Sequence, residues 1–144
     1  VGSLRKHSIL SRDTPTTAAR VGETIGLVVG QLRNCGSDPV TVQSARVITD
    51  SGYAASGSTF WVVPVGLAEP GRPISTWVLH RDGTPLPGEA TIEPEGSTDL
   101  PTLLLEVRVV ATGSFFVNGI EITYASRGRT CTSPYATAAD LSVG

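Results

Sequence analysis

Residues 102–111, TLLLEVRVVA, constrain the fold more than any other stretch. Leu103, Leu105, Val107 and Val109 recur with a period of two, so an extended chain puts all four on one face. After the turn residues TGS the pattern resumes in 115–126, FFVNGIEITYAS, where Ile120, Ile122 and Tyr124 share one side and Glu121 and Thr123 the other. Two adjacent strands, each with one apolar face, need a second apolar layer to cover them.

The rest of the chain supplies candidates for it. In 23–34, ETIGLVVGQLRN, Ile25, Leu27 and Val29 align, while Gly26 and Gly30 point to a bulge or a close backbone approach. In 39–50, PVTVQSARVITD, Val40 and Val42 align and the phase shifts before Val47. Further strands are expected at 58–65 (with Pro64 marking an edge or an end), 74–80 (ISTWVLH), 90–93 and 137–143, with a weak edge strand at 3–10. EPGRP, RDGTPLPGE and RGRTCTSP read as turns or loops, and no segment reads as a helix, the Ala-rich YATAAD and TTAAR being too short to nucleate alone. The expected fold is all-β, a two-sheet antiparallel sandwich of seven to nine strands. Residues 1–144 form one domain, with 1–21 a weakly defined N-terminal edge segment.

Composition narrows the function classes. Eleven Lys and Arg stand against thirteen Asp and Glu, without a basic run denser than SLRKHS, so a nucleic-acid partner is not expected. No stretch approaches the ~20 apolar residues of a membrane helix. The chain opens on Val1 and contains no Met, which reads as a processed or excised product. Only His7 and His80 are available as imidazole bases, neither beside a nucleophile elbow, and HRDG at 80–83 reads as turn chemistry. Two cysteines and two scattered histidines give no zinc spacing, and Glu89, Glu93, Glu95 and Asp99 lack an EF-hand pattern, so neither metal nor cofactor is expected.

The two tryptophans leave two readings open. Trp61 and Trp77 each lie in an expected strand, as core packing or as exposed contacts for a glycan or a protein. Phe60 and Trp61 are adjacent and point to opposite faces, so one of them leaves the core or meets a second layer.

LRNCGSDPVTV resembles the second strand, turn and third strand of immunoglobulin-like and fibronectin-type-III-like modules. LAEPGRPISTW is similar to their Pro-Gly approach to a mid-domain strand, and LLLEVRVVATGSFFVNGIEITYASRGR to their fifth strand, turn and sixth strand. The pattern spans roughly residues 22–144, lacks the Cys-Trp-Cys spacing of antibody domains, and looks closest to actinobacterial-type extracytoplasmic domains of bacteria. The resemblance implies an Ig-like sandwich in which the turns holding Cys35 and Cys131 share one end. A disulfide between them follows from that placement, worth about 4.7 kcal/mol at best for a loop of ~100 residues, and it suits an oxidising compartment. Arg127, Arg129 and Tyr135 would then lie beside NCGSDP as candidate contacts. The implied function is a non-catalytic extracytoplasmic interaction or architectural module, the ectodomain of a secreted or anchored protein, with a protein or glycan partner. A carbohydrate-binding accessory domain using Trp61, Trp77 or Tyr53 is the alternative, and an unrecognised enzyme the second.

Overall fold

The computed structural model describes residues 16–34, 36–64, 72–94, 101–135 and 139–144. The expected edge strand at 3–10 lies outside them, as do Cys35, His7 and most of EPGRP.

Among the described residues eleven strands and one helix run in the order β1 (Thr17–Ala19), β2 (Thr24–Gln31), β3 (Val40–Ser51), β4 (Ala55–Val63), β5 (Ile74–Ser75), α1 (Thr76–Asp82), β6 (Thr84–Leu86), β7 (Ala90–Ile92), β8 (Thr102–Val109), β9 (Gly113–Ser126), β10 (Arg129–Tyr135) and β11 (Ala139–Val143). They form two sheets, β1-β11-β9-β3-β7 with β10 also on β9, and β5-β2-β8-β4-β6. Among the described residues every strand pairing is antiparallel except β1 with β11, and the isolated Asn34–Pro94 bridge is parallel too. The protein is thus an all-β sandwich. It has more strands than the seven to nine expected: β1 and β6 are three residues long, too short to show a period, and β10 lies where a turn or loop was expected.

Alternation places the core where the sequence puts it. Leu103, Leu105, Val107 and Val109 meet Ile25, Leu27 and Val29 in one buried cluster with Ile120, Ile122 and Tyr124. Val107→Ala is expected to cost about 1–3 kcal/mol in a denaturant melt, through lost methyls and the cavity left behind. The glycine readings hold as well. The β2–β8 register slips between Val28 and Gly30, and a Cβ on Gly26 would come within 2.7 Å of Ile74 Cγ2. The phase of β3 shifts at a bulge between Val42 and Ser44, which brings Ala45 and Val47 onto the core side.

The expected strand at 74–80 is corrected. After Ile74 and Ser75 the chain turns into α1. Ser75 Oγ accepts from the Val78 N–H at its start, and the Gly83 N–H returns to the Leu79 carbonyl at its end. The helix lies on the outer face of the β5-β2-β8-β4-β6 sheet, where Leu79, Val28, Trp61, Val63, Ile74 and Leu104 form a second apolar cluster. β2, β4 and β8 are therefore buried on both faces. RGRTCTSP is corrected too: it is a hairpin turn leading into β10 rather than a loop. RDGTPLPGE likewise contains β6, whose Leu86 joins the core.

Candidate functional site

One end of the sandwich is organised by a single buried amide. Asn34 is 1 % exposed. Its Nδ2 donates to the Asp38 carbonyl (2.6 Å) and to the Ile92 carbonyl (3.1 Å), and its Oδ1 accepts from the Gly36 N–H (2.9 Å). This is the Asx geometry that an Asn two residues before a Gly favours. It folds the 34–38 connection back on itself and pins it to β7.

The same connection carries Asp38 toward the β9–β10 turn. Arg127 Nε lies 2.7 Å from Asp38 Oδ2, and Nη2 donates to Oδ1 at 3.2 Å, a forked pair. Arg127 and Gly128 have φ of 53° and 76°, the two positive values of a type I′ hairpin turn between Ser126 and Arg129. Arginine in that region costs about 1 kcal/mol of backbone strain, and the fork to Asp38 offsets it. Ser126 Oγ adds a long contact (3.4 Å) to the Pro39 carbonyl. Arg127→Gly is expected to leave unfolding free energy within about 0.5 kcal/mol, strain relief balancing a partly exposed ion pair. Arg127→Val loses the pair and keeps the strain, for about 2 kcal/mol. Parallel urea melts of the two variants check the contrast.

The structure brings only some of the expected residues to this end. Arg127 and Arg129 are there and exposed. Cys131 sits within β10, opposite Tyr124, and is exposed. No bond to Cys35 is seen among the described residues, and Cys35 is not one of them. Tyr135 is the last residue of β10, opposite Ile120. At ~3.4 Å per residue it lies about 20 Å from Arg129, so the two do not form one patch.

The tryptophans separate as well. Phe60 enters the core and Trp61 the layer under α1, the second-layer outcome that their adjacency allowed. Trp61 is 8 % exposed and stacked against His80, with ring centroids 4.9 Å apart, while its Nε1 has no hydrogen-bond partner among the described residues. His80 Nε2 also lies 3.4 Å from Glu106 Oε2. Trp77 is 66 % exposed on the outer side of α1, with the Arg81 guanidinium 4.2 Å from its ring centroid. Arg81 is held in turn by Asp82. Tyr53, 93 % exposed, is in the β3–β4 connection, away from both tryptophans in the fold. His80, Arg81, Asn34 and Asp38 were not singled out as site residues from sequence. The Trp77–Arg81 contact is an i, i+4 pair, visible only once the segment is read as helix.

Chemically, the loop end offers guanidinium groups on a rigid turn, and α1 offers an indole backed by a cation. Among the described residues no group of three or more His, Cys, Asp or Glu is placed to hold a metal ion, and no helix is long and apolar enough to cross a membrane. No protein-family model matches the sequence, and no curated protein does.

Proposed function

We propose that this chain is a non-catalytic, Ig-like interaction or architectural module of an extracytoplasmic protein. The observation that carries the reading is the strand order. β2-β8-β4 and β3-β9-β10/β11 follow the B-E-D and C-F-G arrangement of that fold, with β1 beside β11 at the margin. The end that joins the 34–38 connection to the β9–β10 turn supports an interaction role. The Asn34 hydrogen bonds and the Asp38–Arg127 fork tie its described residues together, which lowers the ordering cost of binding, and Arg129 in the adjoining hairpin is an exposed contact of a type enriched at binding hot spots.

A photo-crosslinker at position 129 is expected to yield a discrete adduct in the native host, and one at Ser142, on the margin strand β11, none. Adducts only from position 77 would move the site to the outer face of the second sheet. The compartment is tested separately. Non-reducing peptide mapping of oxidised, folded protein should recover one Cys35–Cys131 linked pair, and two alkylatable thiols would remove the argument for an oxidising environment.

The carbohydrate reading retains Trp77, whose exposed indole could stack on a sugar, and loses Trp61, which His80 covers. A glycan array with wild type and Trp77→Ala separates it from protein binding.

A further inference from the structure

A cleft opens between the sheets on the side away from the β1–β11 margin. It holds about 330 Å³ and is lined by Ala45, Arg46, Val47 and Asp50 of β3 and by Phe60, Leu86 and Leu105 opposite. That volume falls within the range of small-ligand and side-chain pockets. Along its mouth runs an open sheet edge. Among the described residues β7 pairs with Val40–Val42 of β3, and beyond that the one backbone contact on this side is the Gly88 N–H on the Gln43 carbonyl. Among the described residues no strand covers Ser44–Ser51 there.

The ladder gives the direction of the unpaired groups. The two-residue turn makes Ser126 and Arg129 a hydrogen-bonded pair, so Ile122 and Ile120 direct their N–H and C=O groups to β10. Their opposite numbers on β3, Ala45 and Val47, therefore point theirs to the open edge.

One residue of the cleft is out of character. By simple alternation Asp50 would share the outer face with Arg46. The register instead shifts between Val47 and Thr49 and again between Thr49 and Asp50, and Asp50 ends opposite the fully buried Val117, on the cleft side. Bulges re-aim side chains in this way. Arg46 is occupied by Glu121 at 2.7 Å, whereas Asp50 makes no ion pair among the described residues. The cleft thus joins apolar side chains to two charged ones, Arg46 held by Glu121 and Asp50 without an ion-pair partner among the described residues, beside backbone groups that no described strand covers.

We propose that this edge receives an extended peptide segment as an added strand of the β3 sheet, with a lysine or arginine whose aliphatic stem enters the cleft and whose charge meets Asp50. Strand addition supplies main-chain hydrogen bonds, and the slot supplies the side-chain preference. The site is separate from the loop end, and its test does not depend on the reading given there. The bland role for an inward carboxylate on an edge strand is to discourage pairing with another copy, and the experiment distinguishes the two.

The test is a titration of ¹⁵N-labelled protein with the peptide acetyl-Thr-Val-Lys-Val-Thr-amide and with analogues carrying norleucine or glutamate at the centre. Amide shifts are expected at Ala45, Val47 and Leu86, with the lysine peptide binding about fivefold tighter than norleucine, the scale of a partly exposed ion pair. Asp50→Asn should abolish that preference and Asp50→Glu should retain it. Both sit at an exposed position, and an unchanged unfolding midpoint confirms that they remain folded. Equal binding of the lysine and norleucine peptides, or no response along β3, overturns the proposal. So does an Asp50→Asn protein that associates with itself while the wild type ignores every peptide.

Discussion

Trp61→Ala is expected to lower unfolding free energy by about 3–5 kcal/mol, measured by urea or guanidinium melts. The indole is the largest side chain in the layer between α1 and the sheet, packed with Val28, Val63, Ile74, Leu79 and Leu104 and roofed by His80. Seven residues cannot sustain a helix in water, so α1 exists because this layer holds it. Losing the indole should therefore release the helix as well as open a cavity, and helical ellipticity should fall with the midpoint. Trp61→Phe keeps most of the apolar volume and removes a buried N–H that has no partner among the described residues, so its cost should stay below about 1.5 kcal/mol. Equal losses in the two variants would show that volume in this layer is not what holds α1.

Asn34→Ala is expected to cost about 2–4 kcal/mol by the same measurement. Three hydrogen bonds end on this one side chain, and their partners include the Ile92 carbonyl in a buried contact. Removing the amide leaves those groups without compensation, and each unmet buried group costs about 1–3 kcal/mol. Asn34→Asp keeps the shape but replaces two donors with an acceptor facing two carbonyls, and should be no better. Ser37→Ala, on the exposed part of the same connection, is expected to stay within about 0.5 kcal/mol of wild type. A small effect for Asn34→Ala would mean that the connection is held chiefly by the Asp38–Arg127 fork.

The legible parts of this fold are those in which one residue in two is apolar for long enough. β8 and β9 declare their inner faces because a run such as Leu103, Leu105, Val107 and Val109 admits one reading. Phe60 and Trp61 require that one of them leave the core or meet a second layer, because neighbours on a strand cannot share a face, and the layer under α1 decides between the two. α1 is illegible for the opposite reason. Ile74, Val78 and Leu79 fit a short strand as well as two turns of helix, and the choice is made by what lies beneath them on β2, β4 and β8. The separation of Arg129 from Tyr135 was hidden by one residue. A hairpin turn written Asn-Gly announces its positive φ, whereas Arg127-Gly128 does not, and so a strand pair read as a loop. Asp50 was hidden because the skip of Ile48 on β3 changes its face, and Ile48 is not a residue that marks a bulge.

The parallel contact of β1 with β11, Thr17 to Leu141 through Ala19 to Val143, has a mechanical consequence. The chain enters β1 at Thr17 and leaves β11 at Val143, at opposite ends of one shared ladder. Tension applied to the two ends pulls these strands past each other along their length, so the rungs are loaded together rather than opened one at a time. β11 is in turn seated on β9, which the long β3 braces from its other side. In this geometry force is met in shear at the margin before it reaches the apolar interior.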